Sequence, residues 1–239
     1  MQCRLLVDEP ADGRWNMGLD EAILHSTLET EQPAPTIRWY GWDQPTLSLG
    51  YFQSKDDIPL SLASLLTVRR VTGGGAILHD HEVTYSIVFP ASGWPRESFI
   101  DLVQDVHASV AKVLQGLQWA APASRDQAEP FLCFERRHPK DLVFGNHKIV
   151  GSAQRKQGGA ILQHGSILLA KSAPTPQLEG YGELAAPIEK TQIIDGVNAL
   201  LAKAWGWTFQ AGSITERERS LAESFAEEKY GNIEWTHRK

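Results

Sequence analysis

Cysteine is scarce in this chain, with two among 239 residues, which excludes a fold stapled by several disulfides. Both are expected as reduced thiols, with Cys3 a small buried hydrophobe in the apolar run CRLLV. No uninterrupted apolar stretch approaches the ~18 residues that a membrane-spanning helix needs. The N-terminus MQCRLLVDEP is too polar, and too short in its apolar part, for a secretory signal. The expected compartment is therefore the cytoplasm, with no membrane partner. A basic excess is also missing. The formal net charge of -6 argues against nonspecific nucleic-acid binding as a main role. Although there are 8 histidines, no compact His/Cys cluster has zinc spacing, so no metal is expected. There is no G-x-S-x-G elbow, no Walker A lysine and no Rossmann glycine spacing. What is present is a composition ordinary for a globular protein, 42% hydrophobic and 22% charged, expected as a single domain over 1–239.

Helical periodicity marks four places. Asn16 is placed to cap a helix to about Glu29, with Asp20 and Glu21 in its first turns and Leu19, Ile23 and Leu24 on one face. Residues 98–115 carry Phe99, Leu102, Val103, Val106, Val110, Val113 and Leu114 at helical spacing, closing near Gly116. Residues 190–205 carry Ile193, Ile194, Val197, Leu200 and Leu201 on one face and end at Gly206. Thr215 and Glu218 form a capping box for a last helix through about Lys229. Strand-like runs lie between them: TIRWY (36–40), TLSLG (46–50), TVRRV (67–71), VTYSIVF (83–89) and GAILQHGSILLA (159–170). DLVF (141–144) and HKIVG (147–151) flank Gly145-Asn146, a hairpin turn signal. The pattern predicts an α+β fold with mixed, mostly antiparallel sheets flanked by helices.

One cysteine stands apart. Cys133 precedes Lys148 by fifteen positions in CFERRHPKDLVFGNHKIVGSAQR (133–155), after a loop from Gln118 to Leu132 expected to deliver it to the sheet surface. At an unperturbed pKa of about 8.5 a thiol is only a few per cent thiolate at pH 7, and a nearby cation favours that form. Lys148 falls on a predicted strand, and Gly151, Ser152 and Ala153 after it leave backbone open to a ligand. In RRVTGGGAILHD (69–80), Gly73, Gly74 and Gly75 can curl around a ligand and offer N–H groups to it. Arg69 and Arg70 point to opposite faces of a strand, so only one need face the site, and His79 follows on the next strand. Taken singly, a glycine run is a tight turn and a strand lysine a solvated edge residue. Between 133 and 156 the cations Arg136, Arg137, Lys140, Lys148, Arg155 and Lys156 face only Glu135 and Asp141. That segment is either a solvated loop or a docking surface for an acidic partner.

RRVTGGGAILHD, KIVGSAQR and QHGSILL, with NMGLDEAIL (16–24) and PTLSLGYFQ (45–53) before them, resemble the lipoate/biotin protein ligase and octanoyltransferase superfamily over about 15–235. ATP-dependent lipoate ligases of that superfamily typically carry Asn-Asp before the lysine strand, where this chain has Lys140-Asp141. Many also need an accessory domain after the catalytic one, for which Lys239 comes too early. Cysteine-dependent octanoyltransferases carry Cys-Phe fifteen residues ahead of the lysine, as Cys133-Phe134 and Lys148 do. Another branch keeps its cysteine after the lysine, just before a His-Gly, where this chain reads GGAILQHG. The resemblance is to the branch with the early cysteine.

The resemblance implies a biotin/lipoate ligase catalytic-domain-like fold, no cofactor, and a protein N-octanoyltransferase. It would take octanoyl from acyl carrier protein, hold it on Cys133, and pass it to a lysine of a lipoyl domain or glycine cleavage protein H. Lys148 would be the charge partner. The backbone of Gly73 to Gly75 and of Gly151, Ser152 and Ala153 would line the acyl slot, with Arg70, His79 and His164 completing the binding set. His79, then His164, are the candidates to support proton transfer, beside Lys148 as a neutral amine. Arg136, Arg137, Lys140, Arg155 and Lys156 would steer acidic partners. Three alternatives stay open: an ATP-dependent lipoate–protein ligase, an octanoyl amidotransferase between lipoyl-accepting proteins, and a non-catalytic acyl-binding module.

Overall fold

The structure is a computed structural model and describes residues 1–91, 100–122 and 129–238. In chain order its elements begin with β1 (Gln2–Val7), α1 (Gly13–Glu29), β2 (Thr36–Tyr40), β3 (Thr46–Leu49), β4 (Leu66–Arg69), β5 (Ile77–His79) and β6 (Glu82–Pro90). They continue with α2 (Ile100–Val113), β7 (Gln118–Trp119), β8 (Leu142–Phe144), β9 (His147–Gln157) and β10 (Ala160–Leu168). The last are α3 (Tyr181–Leu184), α4 (Lys190–Trp205), β11 (Thr208–Ala211), α5 (Glu216–Ser224) and α6 (Ile233–Thr236). Among the described residues, eight strands form one sheet in the order β11-β1-β2-β6-β10-β9-β8-β7, and three form a second, β4-β3-β5. Pairing is parallel for β11-β1-β2 and β3-β4, and antiparallel elsewhere. The fold is therefore mixed α+β, dominated by antiparallel pairs, as the sequence predicts.

Alternation along the central strands explains the layering. Val83, Tyr85, Ile87 and Phe89 of β6 pack with Leu102, Val106 and Val110 of α2 and Ile193, Val197 and Leu201 of α4. The intervening residues face α1 and the second sheet: Val88 joins Met17, Ile23 and Leu24, while Ser86 donates to Asp20 (2.7 Å) and Thr84 accepts from Trp42 (2.8 Å). Burying both faces makes even the polar positions of β6 interior ones. No helix among the described residues is long and apolar enough to cross a membrane.

Several boundaries differ from expectation. Asp12, not Asn16, caps α1, accepting the Arg14 N–H at 2.8 Å. Asn16 is fully buried inside the helix, where its side chain donates to the carbonyls of Ala11 and Gly41 and accepts from Arg38. The buried Arg38 guanidinium needs acceptors there, and it also reaches Asp20 (2.9 Å) and Asp8 (2.6 Å). Asp20 and Glu21 are likewise buried network members; Glu21 takes Lys229 and Tyr230. The predicted start of α2 at 98, with Phe99, lies outside the described residues. Strand β4 stops at Arg69 because the chain turns at Arg70 into the glycine loop. Strand β9 runs on to Gln157, well past the predicted end. The capping box of Thr215 and Glu218 is present, but the last helix becomes a π-helical segment over Phe225–Tyr230. Gly206 closes α4 at φ 65, the left-handed turn that glycine adopts freely. Strand β1 buries Cys3, and burial pushes that thiol up to about 12.

Candidate active site

The glycine loop is folded around Arg70. Its guanidinium, 3% exposed, donates to the carbonyls of Ser48 (2.9 Å), Gly73 (2.8 Å) and Gly75 (2.7 Å). Burial pulls this group down to about 10, against the opposing pull of the Cys133 sulfur. Arg69 turns the other way and grips the carbonyls of Gln53, Thr236 and Arg238. Gly74 has φ 96, a conformation that a side chain would strain. At Gly75 a Cβ would lie 2.6 Å from Arg136 Nε and 3.0 Å from the Cys133 nitrogen. Glycine here lets the cysteine segment press against the loop.

Two backbone hydrogen bonds deliver the thiol. Ala76 N–H donates to Phe131 O (3.0 Å), and Cys133 N–H donates to Ala76 O (2.7 Å). Lys148, on β9 and 5% exposed, then reaches across. Its Nζ stands 3.5 Å from Cys133 Sγ, 3.2 Å from Cys133 O and 2.8 Å from Asp141 Oδ2. The buried Phe134 ring lies 5.7 Å from the same nitrogen. Asp141 is itself fixed by the His138 N–H at 2.8 Å. A Cβ on Gly151 would crowd the lysine, at 2.7 Å from Cε and 3.0 Å from Nζ.

Two cavities meet at the sulfur. An inner slot has Met17 and Ile77 in its wall, together with Gly73, Gly74, Gly151 and Ala153, and Arg70, His79 and His164 as polar lining. An outer cleft of about 360 Å³ is lined by Gly75, Lys148, Asp141, Arg136, Arg137 and Lys140 among others. Gly74, Cys133 and Ser152 line both. Gly75 thus faces the cleft rather than the slot expected for it.

The two histidines expected to support proton transfer are already engaged. His79 stacks on Trp42 with ring centroids 3.8 Å apart, and its nitrogens meet Ser48 (2.7 Å) and Glu82 (2.7 Å). His164 meets Thr72 (2.5 Å) and Asp20 (3.5 Å). Burial pushes His164 down while Asp20 pulls it up, with a net lowering. Asp20 itself is held low; burial opposes this, and the His164 bond and the Arg38 charge prevail.

The basic segment is not uniformly solvated. Arg155 donates to Val71 O (2.9 Å) and Gln157 (2.9 Å), and lies over the Tyr51 ring, so it serves the structure. Arg136 pairs with Glu129, and Arg137 is bound to backbone carbonyls. Lys156 is exposed. No group of three or more His, Cys, Asp or Glu among the described residues could hold a metal.

Residues 12–192 match the lipoyl protein ligase A/B catalytic domain family. The chain belongs to that family. Octanoyltransferase LipM of Kyrpidia tusciae is 35% identical to it, covering 99% of this chain and 98% of its own length. Octanoyltransferase LipM of Symbiobacterium thermophilum is 34% identical, again over 99% and 98%. The fold is shared with a lipoate-protein ligase A bound with ATP, at TM-score 0.81, 24% identity and 99% of both chains. It is shared too with the bi-partite lipoate protein ligase from Thermoplasma acidophilum, at TM-score 0.78, 23% identity, 99% of this chain and 96% of that one.

In this member of the lipoyl ligase A/B family, the sequence reading missed His107. The residue is fully buried on α2, between Val103 and Val110 on the apolar face, and burial drives it down to about 4. Its Nδ1 lies 2.5 Å from Lys140 O, which can only accept, so Nδ1 carries the hydrogen. Nε2 then accepts from Ser152 Oγ (2.6 Å), which accepts from Tyr85 OH (2.6 Å), which accepts from Gln163 (3.0 Å). Every hydrogen in this relay has one direction. Gly165 makes room for it, since a Cβ there would fall 2.5 Å from Ser152 Oγ. A histidine in the apolar stripe of a helix was the available signal. Asp141, the partner of Lys148, was read only as a member of the charged segment.

Proposed function

We propose that this acyltransferase of lipoate biosynthesis moves an octanoyl group from acyl carrier protein, through a thioester on Cys133, to a lysine of a lipoyl domain or glycine cleavage protein H. It would act in the cytoplasm, as one catalytic domain without a cofactor. The observation that carries the reading is the 3.5 Å separation of Cys133 Sγ from Lys148 Nζ where slot and cleft meet. The slot takes the acyl chain, and the cleft admits first the donor's thiol arm and then the acceptor's lysine.

In the first half-reaction, Cys133 Sγ attacks the donor's carbonyl carbon. The new C–S bond forms as the donor's C–S bond breaks, and the carrier thiol leaves with the electron pair and a proton. Exchange of one thioester for another is close to isoenergetic. In the second, the acceptor's amine forms the C–N bond and Cys133 leaves, which is downhill to an amide. Splitting the transfer in this way is covalent catalysis and needs no ATP. The Lys148 ammonium, held in its ion pair with Asp141, is placed to stabilise charge on sulfur or on the carbonyl oxygen. One such donor is worth about 3–4 kcal/mol in acyl transfer.

The test is to incubate the protein with octanoyl-acyl carrier protein, without ATP, and search for an octanoyl adduct on Cys133 by mass spectrometry. The adduct should form and then disappear when a lipoyl domain is added. An acceptor modified only when ATP is present, with Cys133 never acylated, overturns the reading.

A further inference from the structure

We infer that Lys140 and Arg137 keep the outer cleft electropositive so that the acceptor's lysine meets the Cys133 thioester as a neutral amine. The inference rests on the function proposed above. An amine attacks through its lone pair, yet a free lysine with a pKa of about 10.4 is neutral in only roughly one molecule in 2500 at pH 7. The site must therefore favour loss of that proton. A general base is one solution, but Lys148 is held in an ion pair with Asp141 at 2.8 Å, which favours its charged form, and the buried histidines are poor candidates. His107 is driven down to about 4, too low to take a proton from an ammonium, and both ring nitrogens of His79 and His164 are engaged. Like charge is the other solution, because a nearby cation disfavours an incoming ammonium.

Charge in the cleft is unevenly compensated. Lys148 pairs with Asp141 at 2.8 Å, and Arg136 pairs with Glu129. Among the described residues Arg137 donates only to neutral carbonyls, those of Phe134 (3.1 Å), Arg136 (3.0 Å) and Asn146 (2.5 Å). The Lys140 ammonium has no hydrogen bond or ion pair among the described residues, and Lys140 is half-buried. The remaining titratable groups of the cleft are His107, His138 and the thiol, and none of them is a carboxylate. Arg70, behind the glycine loop, is met by carbonyls and adds no anion. Among the described residues neither Lys140 nor Arg137 has an ion-pair partner; Glu135 and Glu179 line a neighbouring cavity with Arg137 without pairing with it.

The Arg137 guanidinium is fixed by its carbonyl contacts, and the backbone that carries Lys140 is fixed as well. The Lys140 carbonyl takes the His107 Nδ1 hydrogen at 2.5 Å, and the next residue, Asp141, is fixed by His138 and Lys148. Contacts elsewhere on the acceptor would offset the repulsion, so the cost falls on ground-state binding and the gain on turnover. The neutral amine attacks the carbonyl carbon, the C–S bond breaks, and Cys133 sulfur leaves with the electron pair and takes the amine's surplus proton.

The experiment is single-turnover deacylation of octanoyl-Cys133 by saturating lipoyl domain across pH, for wild type and the Lys140→Ala/Arg137→Gln double variant. The wild-type midpoint should lie well below that of free lysine. In the variant it should rise by roughly one unit, so the rate at pH 7 falls about tenfold, with the high-pH plateau unchanged. Deacylation by hydroxylamine, already neutral at pH 7, should be the same in both proteins. An unmoved midpoint, or an equal loss with hydroxylamine, overturns this inference while the acyl-enzyme still stands. Failure of the wild type to form octanoyl-Cys133 brings down the proposed function, and this inference with it.

Discussion

The slot and the cleft share Cys133 but treat charge in opposite ways. Behind the slot wall, buried carboxylates meet cations or donors at close range: Asp20 meets Arg38, and Glu82 meets His79, Thr84 and Ser166. The exceptions are Arg70, which lines the slot against neutral acceptors alone with Nε unpartnered, and Glu82 Oε2, which is buried without a donor among the described residues. In the cleft, where an amine and a sulfur would exchange a carbonyl, Lys140 and Arg137 have no ion-pair partner among the described residues. Binding an apolar group favours a wall whose charges are settled among themselves, whereas moving a proton favours an imbalance.

The comparison can be broken most severely at Cys133, one of the three residues that line both cavities. Cys133→Ala should abolish transfer, by at least about a thousandfold, with no octanoyl adduct and little change in melting temperature, since the side chain is only half-buried. Retained transfer in that variant would remove the boundary between the two cavities as a functional one. Lys148→Met should cost about a hundred- to a thousandfold in kcat for both half-reactions, measured by single turnover. A loss confined to one half-reaction would assign the ammonium to that step alone.

His107 sharpens the comparison through stability. Its folded pKa of about 4 lies below the ordinary 6.5, so the folded state prefers the neutral ring. The sign follows: this contribution is complete above pH 6.5, falls as pH drops towards 4, and levels off below. It amounts to about 3 kcal/mol at full size. Urea unfolding at pH 7 and pH 4.5 should show wild type losing about 2.4 kcal/mol more than His107→Gln; parallel losses would mean that the relay tolerates an imidazolium. The smallest effect expected is that of Gly75→Ala. The added Cβ meets the Cys133 backbone nitrogen at 3.0 Å, so the thiol shifts and kcat falls about tenfold. Unchanged kcat would show that the loop yields freely.

Legibility in the sequence followed the range of the interactions. The helix over Lys190–Trp205 and the hairpin turn at Gly145-Asn146 rest on local periodicity and turn chemistry, and both were readable. The parallel edge, where Cys3 aligns with Phe209, leaves no local mark, and β1 was read only as an apolar run. Buried polar groups were hardest. Asn16 resembles a cap until Arg38 is seen to need its oxygen, and His107 acquires a purpose only when Ser152 and Lys140 arrive from distant segments. The spacing of Cys133 and Lys148 was plain, but the rung that sets their separation, Ala76 to Leu132, joins runs with no shared pattern.

Arg69 and Arg70 are consecutive, yet one holds the chain at 236–238 and the other holds the glycine loop. The peptide bond between them is a mechanical joint. A pull on the C-terminal segment, or a partner that lifts it, would reach the loop over the slot through these two guanidinium groups and through Trp235, whose Nε1–H donates to Arg69 O at 2.9 Å. The edge of the molecule farthest along the chain is thereby wired to the place where the acyl group would lie.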